Sequence, residues 1–298
     1  MQRRSPEFVT DARRTVAVLG ARGQLGRELC RQLGSQAIPI DRSTLDVEDR
    51  SQVHDVLRAI RPIAVVNAAG FTAVDLAEVE VERCRNTNVG GAINVADACQ
   101  QLGLTLVQLS TDYVFSGSST RSTPFREDDL TCPLNVYAES KAAAESAARC
   151  CERHFIVRTC GLYTIPRWAD KSVNFVKTML RLASEERAIR VVDDQCCSPT
   201  YVVDLASAIS FLIRTYEFGT YHIVNRGSVS WYDFASRVFE LARLSVDLQR
   251  ISTIEFGAAA TRPAYSALDG AKYGRLGGPR MRHWSDALAA CICADTAD

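Results

Sequence analysis

Tyr137-Ala-Glu-Ser-Lys141 is the segment of this chain best suited to chemistry. It gains meaning beside Ser110-Thr111-Asp112 upstream and Gly20-Ala-Arg-Gly23-Gln-Leu-Gly26 near the start. Side chains four apart on a helix lie on one face, one turn above the other, so a helix through 137–141 sets a phenol beside an ammonium. A free phenol titrates near pH ~10 and needs nearby positive charge to exchange protons at working pH. Lys141 supplies that charge and has the reach to hold a ribose. Thr111, leaving a strand, can orient the same substrate oxygen. Tyr137, Lys141 and Thr111 are therefore the candidate catalytic residues. Alone, Tyr-x-x-x-Lys arises often by chance, with the Tyr a surface aromatic and the Lys a solvated charge. In this order, with a glycine-rich loop ahead of it, the set implies a carbonyl–alcohol oxidoreductase using a nicotinamide cofactor.

The loop must sit between a strand and a helix to serve. Thr15-Val-Ala-Val-Leu19 reads as a strand buried on both faces, and Leu25, Leu29 and Leu33 follow at helical spacing. Gly20, Gly23 and Gly26 in that turn let the backbone approach a pyrophosphate, where the helix N-terminus offers free N–H groups and a favourable dipole. The spacing Gly-x-x-Gly-x-x-Gly differs from the commoner Gly-x-Gly-x-x-Gly. Asp41 ends the next strand, Ala37–Ile40, close to the ~20 residues expected for a carboxylate that binds the adenosine ribose. Adjacent Arg42 suits a 2′-phosphate instead, so NADH and NADPH both stay open.

Further strands are expected at Ile63–Asn67, Leu104–Leu109 and His154–Arg158, with helices between them, the one after Pro133 carrying Tyr137 and Lys141. Such alternation with short joins predicts an α/β fold, a doubly wound parallel sheet of Rossmann type. The expected division is a leader over 1–13, an NAD(P)-binding domain over 14–160, and a smaller, interleaved substrate lobe over 161–298. The stretch 190–225 is expected to return to the Rossmann core. Trp231 and Tyr232 read as packing of the small lobe, and Ser198-Pro-Thr200 as a capped helix entry.

Composition excludes other classes. Lys plus Arg and Asp plus Glu both number 35, which gives no basic excess for nucleic acid or a membrane surface. No apolar run approaches the ~20 residues that span a bilayer, and the start lacks a secretory apolar segment. Eleven cysteines are an odd number without paired Cys-x-x-Cys spacing, so they read as reduced thiols of a cytoplasmic protein, with no metal expected.

The chain resembles the extended short-chain dehydrogenase/reductases, and among them the dTDP-4-dehydrorhamnose reductase family. The resemblance rests on Gly23-Gln-Leu-Gly26, Val66-Asn-Ala-Ala69, Ser110-Thr-Asp-Tyr-Val-Phe115, Pro133-Leu-Asn-Val-Tyr137, Asn174-Phe-Val-Lys177, Ser198-Pro-Thr200 and Arg262-Pro263. It implies reduction of a nucleotide-linked 4-keto-6-deoxysugar by NADPH or NADH. Gly23, Gln24 and Leu25 would touch the pyrophosphate, Asp41 the ribose, and Asp46 with Val47 the adenine. Ala69, Gly70, Phe71 and Thr72 would lie along the cofactor. Thr111, Asp112 and Tyr113 would meet the sugar. Two alternatives from other classes are a non-catalytic nucleotide-binding subunit resembling the methionine adenosyltransferase partner, and a nucleotide-sugar epimerase or dehydratase. The chain departs from the family at Gly161, where an aromatic wall is usual; Tyr163 or Trp168 is the expected replacement. Glu28 matches one glutamate of the magnesium-linked dimers known in the family, but no clear third is present. A homodimer is therefore expected only without the metal link.

Overall fold

The computed structural model describes residues 15–118, 120–165, 173–185 and 188–295; the expected leader and Trp168 lie outside them. One parallel sheet organises the chain. Its strands are β1 (Val16–Leu19), β2 (Ala37–Ile40), β3 (Ala64–Asn67), β4 (Thr105–Thr111), β5 (His154–Thr159) and β6 (Gly219–His222). They lie in the order β6-β5-β4-β3-β1-β2. The order reverses between β1 and β3, and a doubly wound sheet opens a crevice at such a switch point, beyond the carboxyl ends of its strands.

Alternate side chains of each strand build the two cores. Val16, Val18, Val66 and Val107 pack with Leu25 and Leu29 of α1 (Gln24–Leu33) and, from later in the chain, with Leu205 and Ile209. On the opposite face Ala17, Leu19, Val65 and Leu106 meet α2 (Arg50–Ile60) and α3 (Gly91–Leu102) through Val53, Leu57, Val95 and Cys99. Next in the chain comes α4 (Val136–Ala148), which carries Tyr137 and Lys141 against β4.

The later long helices are α5 (Phe175–Glu185), α6 (Val202–Leu212), α7 (Trp231–Ala242) and α8 (Trp284–Asp295). A third core joins α5, α7 and α8 through Tyr163, Val176, Met179, Phe234, Val238 and Leu288. Within 190–225, α6 packs on α1, and β6 pairs with β5 in the main sheet. Ala188–Val192 pairs instead with Asp247–Ile251 in the second lobe. The entry to α6 also differs from expectation. The helix starts at Val202 without a side-chain cap, while Ser198 Oγ donates to the Gly227 carbonyl at 2.9 Å, which ties two loops together. None of the eleven cysteines is in a disulfide, and among the described residues no helix is long and apolar enough to cross a membrane.

Candidate active site

The glycine loop follows from close backbone approach. Gly20 has φ +75°, and a Cβ there would stand 2.7 Å from the Ala68 carbonyl oxygen, so the loop lies directly on the end of β3. A side chain at Gly26 would collide with the Gly20 carbonyl. Gly23, the residue before α1, provides no side-chain cap for the helix's first N–H groups. Two cavities meet here and share Gly23, Ala68, Ala69 and Gly70. One, of about 350 Å³, runs past Gly20, Arg22, Asp41, Arg42, Asp46 and Val47. The other, of about 570 Å³, takes in Gln24, Leu25, Gly26 and Thr72 and reaches Thr111, Tyr137 and Lys141. Together they make a trough across the switch point.

Asp41 in that trough is already engaged. Its carboxylate accepts from Ser43 Oγ at 2.5 Å and Ser43 N at 2.8 Å, and pairs with Arg22 Nε at 2.6 Å. The Ser43 bonds, helped by the Arg22 charge, hold its pKa below the usual carboxylate range. Arg42 turns to Asp46 and Glu48, at 3.4 and 3.8 Å. Phe71 lines neither cavity, although Gly70 and Thr72 on either side of it do. Asn88 holds its backbone from both sides, accepting from Phe71 N and donating to Phe71 O. The Phe71 backbone thus ties this loop to Asn88. The free helix N-terminus, the Asp41 carboxylate and two arginines nearby suit a dinucleotide.

Asn135 starts α4 by accepting from Ala138 N at 2.7 Å, and it donates to the Thr261 carbonyl, so the helix is fixed at its first turn. One turn separates Tyr137 from Lys141, as expected. Lys141 is buried with Nζ donating to the Leu109 carbonyl at 2.6 Å. Burial brings its pKa down to about 8, although the Glu145 charge opposes this. Burial raises the Tyr137 phenol, against a hydrogen bond with Thr111 that lowers it, so the phenol keeps its proton. Thr111 Oγ1 also donates to Asp112 at 3.1 Å, and Tyr113 stands edge-on to Tyr137 at 6.2 Å between ring centres. Asp112 is buried and pushed up to about 6 by desolvation, with Ser266 Oγ donating to it at 2.5 Å. The structure thus brings Thr111, Asp112, Tyr113, Tyr137 and Lys141 to one cavity.

The wall near Gly161 differs from one of the two replacements expected, Tyr163, while the other, Trp168, lies outside the described residues. Tyr163 is fully buried, stacked on Tyr201 at 5.7 Å, and belongs to the small-lobe core. Trp231 comes to Gly161 instead: a Cβ there would lie 2.9 Å from Trp231 Cη2, and Gly161 has φ +47°. Trp231 packs the small lobe as expected and also lines the cavity. Sequence reasoning passed over that second role and over Arg22; only Arg22 left a local signal, a cation inside the glycine loop. Glu28 is bound within its own helix by Arg31 and Gln32.

Comparison with known proteins agrees with this geometry. Residues 14–296 match the RmlD substrate binding domain. The spore coat polysaccharide biosynthesis protein SpsK of Bacillus subtilis is 39% identical, over 92% of this chain and 95% of that protein. A dTDP-4-dehydrorhamnose reductase of Streptomyces griseus is 38% identical, over 91% and 90%. The crystal structure of dTDP-4-dehydrorhamnose reductase from Bacillus anthracis in complex with NADP superposes with a TM-score of 0.89 at 41% identity, covering 94% of this chain and 99% of that one. The match runs along nearly the whole length, and the chain belongs to the RmlD substrate-binding-domain family.

Proposed function

We propose that this chain reduces the 4-keto group of dTDP-4-dehydro-L-rhamnose to give dTDP-L-rhamnose, with NADPH as reductant. The observation that carries the reading is the meeting of Thr111, Tyr137 and Lys141 at a cavity continuous with the glycine loop. The relatives named for this reaction, one of them with NADP bound, point the same way. Gly23, Gln24 and Leu25 would hold the pyrophosphate, Asp41 and Asp46 the adenosine, and Arg22 a 2′-phosphate. Bound there, the reduced nicotinamide supplies hydride to the keto carbon.

The protein's own part is proton supply and placement. Tyr137, kept protonated by burial, gives its proton to the carbonyl oxygen as negative charge grows there. Thr111 binds the same oxygen and fixes the phenol. Lys141 carries positive charge at neutral pH, since its pKa of about 8 lies above it, and steadies the phenolate left behind. Asp112 and Tyr113 position the sugar. The reaction belongs to the cytoplasm, where nucleotide sugars and reduced nicotinamides are available.

The test is purified protein given dTDP-4-dehydro-L-rhamnose with NADPH or NADH, followed at the nicotinamide absorbance. Consumption of NADPH with formation of dTDP-L-rhamnose is expected. No consumption of either cofactor at micromolar enzyme refutes the reductase and favours the non-catalytic subunit.

A further inference from the structure

The far wall of the reaction cavity comes from the small lobe. Trp231 is the first residue of α7, and Ser230 fixes the helix start by accepting from Asp233 N at 3.1 Å while donating to Asp193 at 2.7 Å. Phe175 lies against the indole at 4.6 Å between ring centres, and Phe234 meets it edge-on at 6.1 Å. These two rings buttress the indole within the lobe. Its tip reaches Gly161, where any side chain would press on it. The residue is only half-buried and lines the cavity that holds Thr111 and Tyr137.

The register of the sheet relates Gly161 to the reacting residues. Thr111 and Thr159 are partners on neighbouring strands, and Gly161 lies two residues past Thr159, just beyond the end of β5 and in the wall of the same cavity as Thr111. A nucleobase lies farther off, beyond the two phosphates. A 6-deoxyhexose presents a methyl group and ring C–H bonds, and the negative face of an aromatic ring attracts such weakly positive hydrogens.

We infer that Trp231 is the platform for the deoxyhexose ring, with Gly161 as the gap that lets the indole reach it. This rests on the reductase reading above. Trp231 is then a binding residue that sets sugar preference, with no part in the proton transfer. The lobe aligns the sugar ring while β4 and α4 act on its carbonyl.

Two variants and two readouts test it. Trp231→Leu is expected to raise KM for the keto sugar about tenfold or more, while kcat falls less than about threefold and KM for NADPH stays within about twofold. Trp231→Phe keeps an aromatic face and should hold KM for the sugar within about threefold of wild type. Separately, dTDP-L-rhamnose added without cofactor should change the tryptophan fluorescence of the wild type, and the change should vanish in Trp231→Phe, which retains Trp168 and Trp284. An unchanged KM in Trp231→Leu overturns the platform. So does an equal loss for sugar and cofactor with a lowered melting temperature, which marks plain packing. If the wild type turns over no keto sugar yet dTDP-L-rhamnose still alters the Trp231 signal, the reductase reading falls and the platform stands.

Discussion

Replacing Asp112 by asparagine should make the protein less sensitive to rising pH, by an amount the structure sets. Asp112 is 2% exposed and accepts from Thr111 at 3.1 Å and Ser266 at 2.5 Å. Burial dominates and lifts its pKa from 3.8 to about 6, although hydrogen bonds from Ser266, Cys160 and Thr111 pull the other way. The gap is roughly two units at about 1.4 kcal/mol each, so the swing is about 3 kcal/mol. Because the folded value lies above the unfolded one, the folded protein holds this proton more tightly. The stabilisation is full below pH ~4 and is lost as pH rises through about 6. Asparagine fills the same space, can accept from Thr111 and has no proton to lose. Urea unfolding of both proteins between pH 4 and 7.5 should therefore show the variant gaining about 3 kcal/mol on the wild type. Other titrating groups cancel in the difference. Parallel stability curves across that range would refute the idea that burial sets this carboxyl.

The other predictions concern catalysis and cofactor choice. Tyr137→Phe should lower kcat about 10² to 10⁴-fold and leave NADPH affinity within about twofold, because one proton donor goes and little surface is lost. Lys141→Ala should weaken both kcat and NADPH binding, which fluorescence titration and steady-state rates can separate; the same pattern in both variants contradicts distinct roles. Arg22→Ala should raise KM for NADPH about tenfold and hardly alter KM for NADH, as expected of a charge that meets the 2′-phosphate, a group NADH lacks. An unchanged ratio between the cofactors removes Arg22 from that site.

How much of the fold could be read in advance followed burial. Val16–Leu19 and Ala64–Val66 lie in the middle of the sheet with both faces covered, and so appear as continuous apolar runs, while the equally buried Thr105–Thr111 has Gln108 and Ser110 among its apolar residues. Asp247–Ile251 is a different case. It pairs with Ala188–Val192 in a two-stranded sheet, and Asp247, Gln249 and Arg250 are exposed, so neither an apolar run nor a clear alternation marks it. Ser198-Pro-Thr200 misled for a related reason. Its hydroxyl and proline fit a helix start, but the Gly227 loop, 29 residues on, takes the Ser198 proton and the helix begins beyond. Local propensity had the right residues and a distant partner took one of them.

The same distinction divides the site. The glycine loop and the Tyr–Lys pair act over one turn of backbone, so their spacing carries their meaning. The sugar wall is made by residues 70 positions apart, Gly161 and Trp231, and no spacing relates them. In the chain alone, Gly161 reads as an absence, a wall removed. The fold gives the absence a cause, since positive φ and an indole tip 2.9 Å from the missing Cβ leave room only for glycine. The substitution Gly161→Trp would therefore set a second indole against Trp231 in one place instead of restoring an empty one. A glycine that breaks a family pattern is best understood by asking which side chain has moved into its space. Here that side chain belongs to the lobe that closes the cavity opposite Tyr137.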